Sequence, residues 1–182
     1  MSIYAAVDSN ALTYLVHAIG VEGYNPANDS SGLADERVAM SRLFMYGDCR
    51  LWVPPAVRTE TDDIPPGQLR DAQNRTTWYQ LLDHDSGVPE SDIEQRVKEL
   101  LPHHAGISDC RVVAETEAME LGYLITRDDK LQRRLQAHTT VRLVRPTELW
   151  ASVGIDCAPP HAMLPAPDNP LSAYDWWRLP DC

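Results

Sequence analysis

Four carboxylates stand where apolar segments begin or end. Asp8 follows the run "SIYAAV", Asp128 comes just after "YLIT", Glu60 lies shortly beyond "LWVPP", and Asp109 opens the helical stretch that precedes "YLIT". Any one alone reads as a solvated acid, for the chain carries 27 Asp and Glu. Asp109 in isolation would do no more than favour its helix dipole, an effect of about 0.3–1 kcal/mol. Gathered at one edge of a sheet, the four imply more. At about 4 Å and an effective dielectric near 20, each pair of like charges repels by about 4 kcal/mol. Such a cluster must take up protons, bind cations or not form. Oxygen-only ligation favours Mg²⁺ or Mn²⁺ over zinc. A cation held that way, with open positions, activates water and stabilises a phosphoryl transition state.

The hydrophobic pattern supplies the elements that would bring these acids together. "SIYAAV" reads as a buried strand, followed by a helix with Ala11, Leu12, Leu15, Val16 and Ile19 on one face. Residues 20–33 are rich in Gly, Asn and Ser and read as a loop. A helix from Ala34 to about Tyr46, the strand "RLWVPP" and a helical turn bearing Glu60 come next. The pattern predicts a further helix from Pro65-Pro66 to about Asp83, and another marked by Ile93, Val97, Leu100 and Leu101. Ser108 is a good N-cap for a helix that buries Ile107, Cys110, Ala114, Ala118 and Leu121 and stops at Gly122. Then follow "YLIT", a helix from Asp129 to Gln136, the strand "TVRLV" and a turn introduced by Pro146. Strands alternating with helices predict an α/β fold, a parallel four- to five-stranded sheet covered on both faces as a three-layer α/β/α sandwich. Ligands of open parallel sheets bind beyond the carboxyl ends of the strands, where Asp8 and Asp128 fall. The domain is expected to span 1–154. Residues 155–182, with six prolines and little periodicity, are expected to form a C-terminal extension.

Composition narrows the class. The chain has 182 residues, 43% hydrophobic and 24% charged, as expected of a globular domain. A net charge of −11 argues against a nucleic-acid binder that works by bulk charge. No apolar run approaches a membrane span, and "MSIYAAVDSN" lacks the basic start of a secretory signal. The cysteines, at 49, 110, 157 and 182, form no C-x-x-C pair and suggest reduced thiols in a cytoplasmic protein.

"VDSNALTYLV", "VPPAVRTETDDI", "ISDCRVVAETEAMELGYLITRDDKL" and "VRLVRPTELW", in that order, resemble the PIN-domain nucleases, including the VapC-type toxins. The family pattern has Asp-x-Asn after the first strand, a Glu on the helix after the second, an Asp opening a helix, and a strand ending in Thr/Ser-x-Asp. Asp8 and Asn10, Glu60, Asp109, and Thr126 with Asp128 match it. The resemblance covers about residues 3–150; residues 62–104 and the tail are additions to the pattern. It implies hydrolysis of RNA phosphodiesters by an Mg²⁺- or Mn²⁺-dependent endoribonuclease. Asp8, Glu60, Asp109 and Asp128 would be the catalytic and metal-binding set, with Asn10 and Thr126 in support. Thr126, two residues before Asp128 in extended chain, would hold its carboxylate; Asp129 would point away and cap the next helix. For partners the resemblance implies RNA and admits an antitoxin protein and a homodimer.

Other residues carry weaker signals. Arg127, Lys130, Arg133, Arg134, Arg142 and Arg145 face only Asp128 and Asp129 within their segment, a local +4 that would let an acidic protein meet RNA, with Arg127 nearest the site. Arg133 and Arg134 equally suit a helix C-terminus. His103 and His104 are expected to be a solvated loop, and Trp176 and Trp177 to pack onto the domain. Two rival functions remain. A Mg²⁺-dependent phosphatase using Asp8 as nucleophile wants a second acid two residues on, where this chain has Asn10. A non-catalytic binding module on the same fold would not need four acids.

Overall fold

The computed structural model describes residues 2–19, 26–67, 71, 82–83 and 87–154. The extension 155–182, its tryptophans, and most of the helix expected after Pro66 lie outside the described residues. Five parallel strands form one sheet: β1 (Ile3–Val7), β2 (Cys49–Val53), β3 (Leu82–Asp83), β4 (Tyr123–Ile125) and β5 (Arg142–Val144). Their order is β3-β2-β1-β4-β5, so the first strand is central. Ala5, Ala6, Val7, Leu124 and Ile125 are wholly buried, as the strands of a sheet covered on both faces must be.

Among the described residues seven helices accompany them: α1 (Ser9–Ile19), α2 (Ala34–Met45), α3 (Pro55–Asp63), α4 (Glu90–Leu100), α5 (Ile107–Ala118), α6 (Asp129–Leu135) and α7 (Pro146–Val153). The helix α2 packs on α1 and α7, while α5 packs on α4 and α3, completing a three-layer α/β/α sandwich. None of the described helices is long and apolar enough to cross a membrane.

Several local expectations are corrected. Leu82 and Asp83 pair with β2 as a strand instead of ending a helix. The strand expected from Thr140 starts at Arg142, and a 3₁₀ turn, Gln136–His138, follows α6. Gly106, not Ser108, is the N-cap of α5, and Ile107 is 66% exposed. The stop of α5 comes before Gly122. Glu120 adopts a left-handed φ of 56°, its N–H bonds the Glu117 carbonyl at 2.9 Å, and the Leu121 N–H bonds that of Thr116 at 3.3 Å. Those two bonds make a Schellman ending with glutamate where glycine is usual. Gly122 already belongs to the sheet edge, its N–H bonding the Tyr4 carbonyl.

Candidate functional site

The strand order reverses direction between β1 and β4, since β2 and β3 extend one way from β1 and β4 and β5 the other. Beyond the carboxyl ends at such a switch point lies the crevice where open α/β sheets bind ligands. Val7 pairs with Ile125, so the next residues, Asp8 and Thr126, emerge side by side. The Asp8 N–H bonds the Ile125 carbonyl at 3.1 Å, and the Thr126 N–H bonds that of Val144 at 2.9 Å.

Asp8 then starts α1. Its Oδ1 accepts the Ala11 N–H at 2.6 Å, and its carboxylate also takes bonds from the Thr126 hydroxyl and the Asn10 backbone. Those bonds would lower its pKa. It nevertheless rises from 3.8 to about 6, because burial outweighs them and the Glu60 charge adds to the burial. Asn10 thus supports Asp8 through its backbone, while its side chain is exposed.

Glu60 comes from the second turn of α3. Pro55 opens that helix with φ pre-set. Its first turn is tied down by Glu115 of α5, which is 2% exposed: Oε2 accepts the Ala56 N–H at 2.8 Å and Oε1 the Arg111 Nε at 2.8 Å. Burial pushes the Glu115 carboxyl up, and these two donors oppose the rise. So anchored, α3 places the Glu60 carboxylate between the hydroxyls of Ser9 and Ser108, and accepts a hydrogen bond from each. Ser9 follows Asp8 and Ser108 precedes Asp109, so Glu60 links the first turns of α1 and α5. Glu115 and Ser9 were not singled out from sequence, and Ser108 was expected only as a helix cap.

The other two acids are engaged elsewhere. Asp109 Oδ2 lies 2.7 Å from His104 Nε2. His104 is 4% exposed, so the expected solvated loop is corrected there, while exposed His103 stacks on His138 with ring centroids 3.5 Å apart. Asp128 caps α6, its Oδ1 accepting from Lys130 N at 2.7 Å and Leu131 N at 2.9 Å. Asp129, expected as that cap, instead pairs with Arg145. The Thr126 hydroxyl, expected on the Asp128 carboxylate, accepts the Asp128 backbone N–H at 3.0 Å and serves the Asp8 carboxylate. The reason is register: Asp8 is level with Thr126, and Asp128 lies two residues further on.

Arg127 and Lys130 are exposed beside this edge, and Arg133 and Arg134 are exposed in the last turn of α6. Cys49 and Cys110 are buried free thiols; burial pushes Cys49 up to about 12 and raises Cys110, so neither offers a thiolate.

Among the described residues, no three His, Cys, Asp or Glu side chains converge at metal-binding separation. Asp8 and Glu60, near enough for the Glu60 charge to raise the Asp8 pKa, are oxygen donors of the kind that suits Mg²⁺. Mg²⁺ is usually held through one or two carboxylates, with water and substrate phosphates completing its shell. Zinc, which takes three or four protein ligands, does not fit. Compared with known proteins, the chain matches no family model, no curated protein and no solved structure.

Proposed function

We propose that this protein is a metal-dependent endoribonuclease of the PIN type. One observation carries the reading: at the β1/β4 switch point a buried carboxylate, Asp8, feels the charge of a second acid, Glu60, and its pKa is raised to about 6. Capping a helix requires neither the burial nor the second charge, and a cation relieves both. Bound Mg²⁺ or Mn²⁺ would supply a water nucleophile at neutral pH and offset charge on the phosphoryl group. The chain's own residues do the remainder. Thr126 and the backbone of Asn10 and Ala11 fix the Asp8 carboxylate; Ser9 and Ser108 fix Glu60. Arg127 and Lys130 present exposed cations to the RNA backbone, where phosphate contacts position a substrate without reading its sequence. Asp109 and Asp128 complete the proposed acid set, Asp109 through the oxygen that His104 leaves free and Asp128 through water or after reorientation. An antitoxin protein and a homodimer belong to this reading through the family resemblance.

A non-catalytic binding module is the second reading, favoured by the hydrogen bonds that occupy Asp109 and Asp128. Incubating the purified chain with single-stranded RNA separates the two. Cleavage should require Mg²⁺ or Mn²⁺, stop in chelator, and be abolished by Asp8→Asn and by Asp109→Asn, with Asp129→Asn nearly as active as wild type. RNA that is bound and left intact with either cation would establish the module instead.

A further inference from the structure

His104 has a buried ring and no part in the chemistry described so far. Its backbone is held at both ends: the N–H bonds the Leu100 carbonyl at 3.1 Å, and the carbonyl accepts the Cys110 thiol at 3.2 Å. Nε2 meets Asp109 Oδ2 at 2.7 Å, and Nδ1 is buried with no hydrogen-bond partner among the described residues. A carboxylate oxygen accepts, so the hydrogen of this bond sits on Nε2 and points at Asp109. At 4% exposure, with that nitrogen engaged, the imidazole does not reach substrate and is no general base.

The surroundings are shaped to this pair. A Cβ at Gly106 would stand 2.3 Å from Asp109 Oδ2 and 2.8 Å from His104 Nε2. Gly106 has φ −77° and ψ 106°, which any residue adopts, so space and not backbone freedom calls for glycine. The Asp109 side chain is 43% exposed, so the buried imidazole holds one oxygen while the carboxylate still opens to solvent.

We infer that His104 is a positioning residue: it fixes Oδ2 of Asp109 so that Oδ1 is presented to the cation site beside Glu60, with Gly106 leaving room for the pair. The inference rests on the metal-dependent reading above. Carboxylates that serve metals are themselves oriented by hydrogen bonds, and losing such a partner weakens metal affinity or activity by about 10- to 100-fold.

The test uses the full chain and Mn²⁺ alone, by titration calorimetry, with a thermal melt of each variant. His104→Phe keeps an aromatic ring and should weaken Mn²⁺ binding by about 10- to 100-fold. His104→Gln, whose amide N–H reaches a similar point, should restore binding to within a few-fold of wild type. Gly106→Ala, which keeps the imidazole but crowds it and Asp109 apart, should weaken binding as His104→Phe does, and it decides the matter if His104→Phe does not fold. In RNA cleavage the same variants should need more Mn²⁺ for half-maximal rate yet approach the wild-type rate at saturation. Wild-type affinity in His104→Phe or Gly106→Ala, or failure of His104→Gln to rescue, would overturn the inference and leave the nuclease reading standing. Mn²⁺ binding that follows the expected pattern without RNA cleavage would support it while removing the ribonuclease. A wild-type chain that binds no Mn²⁺ overturns both.

Discussion

Replacing Asp8 by Asn should make the metal-free protein more stable, by an amount that depends on pH. An acid whose folded pKa lies above its unfolded value binds more protons folded than unfolded in the interval between them. Stability therefore falls as pH rises through that interval, and the full penalty stands above it. For Asp8 the interval runs from 3.8 to about 6. At 1.36 kcal/mol per unit the penalty is about 3 kcal/mol at pH 8, shrinking to under about 1 kcal/mol near pH 4. The figure is net, because the bonds from Thr126, Ala11 and Asn10 already oppose the rise. Asparagine keeps the shape and an oxygen for the Ala11 N–H while carrying no charge. In chelator at pH 8, urea unfolding should show Asp8→Asn more stable than wild type by about 3 kcal/mol, or roughly 6–12 °C in Tm for a domain of this size. The gap should close toward pH 4. It should also close at pH 8 when Mn²⁺ is added at about one hundred times its dissociation constant, which stabilises the binding form alone by about 2.7 kcal/mol. An Asp8→Asn protein less stable than wild type in chelator, or a gap indifferent to pH, would show that Asp8 serves only its helix cap.

Two further substitutions probe the scaffold. Asp128→Ala removes the α6 cap and should cost about 1 kcal/mol, whereas Asp128→Asn should cost almost nothing because asparagine caps as well; thermal melts in chelator read both. Glu115→Ala leaves the Ala56 N–H and Arg111 without their buried partner and should cost about 2–3 kcal/mol in urea unfolding. Glu115→Gln, which keeps an acceptor and has no charge to bury, should cost clearly less, and an equal loss from both would mean the carboxylate anchors nothing.

Four of the five strands were legible because they are short apolar runs set between helices that repeat at 3.6, two signals that need only local sequence. The two-residue β3 carries neither and reads as the end of a helix. What failed also failed locally. Ser108 has the chemistry of an N-cap, and no rule of spacing shows that its hydroxyl goes instead to Glu60, 48 positions away. Glu120 in a left-handed conformation runs against propensity, which placed the stop at the next glycine. Glu115 could have been found: it follows Val112 by three and precedes Met119 by four, all three buried. An acid on an apolar helix face, four residues after an arginine, announces a buried bond. His104 offered no such sign, for its place depends on how the end of α4 meets the start of α5.

Asp8 and Asp128 look alike in sequence, each an acid at the end of a core strand, and each caps the helix that follows. Cross-strand register separates them. With Val7 opposite Ile125, the residue level with Asp8 is Thr126, and the β4 chain travels two residues further before it reaches its own acid. Asp8 therefore stays inside the crevice, buried and within reach of the Glu60 charge, while Asp128 is carried out to the first turn of α6 and only half covered. Of these two charges the one that costs more to bury is that of Asp8, and under the proposed metal-dependent reading a cation would relieve Asp8 first. Loss of Asp8 should accordingly reduce Mn²⁺ affinity more than loss of Asp128, although the two occupy equivalent places in their strands.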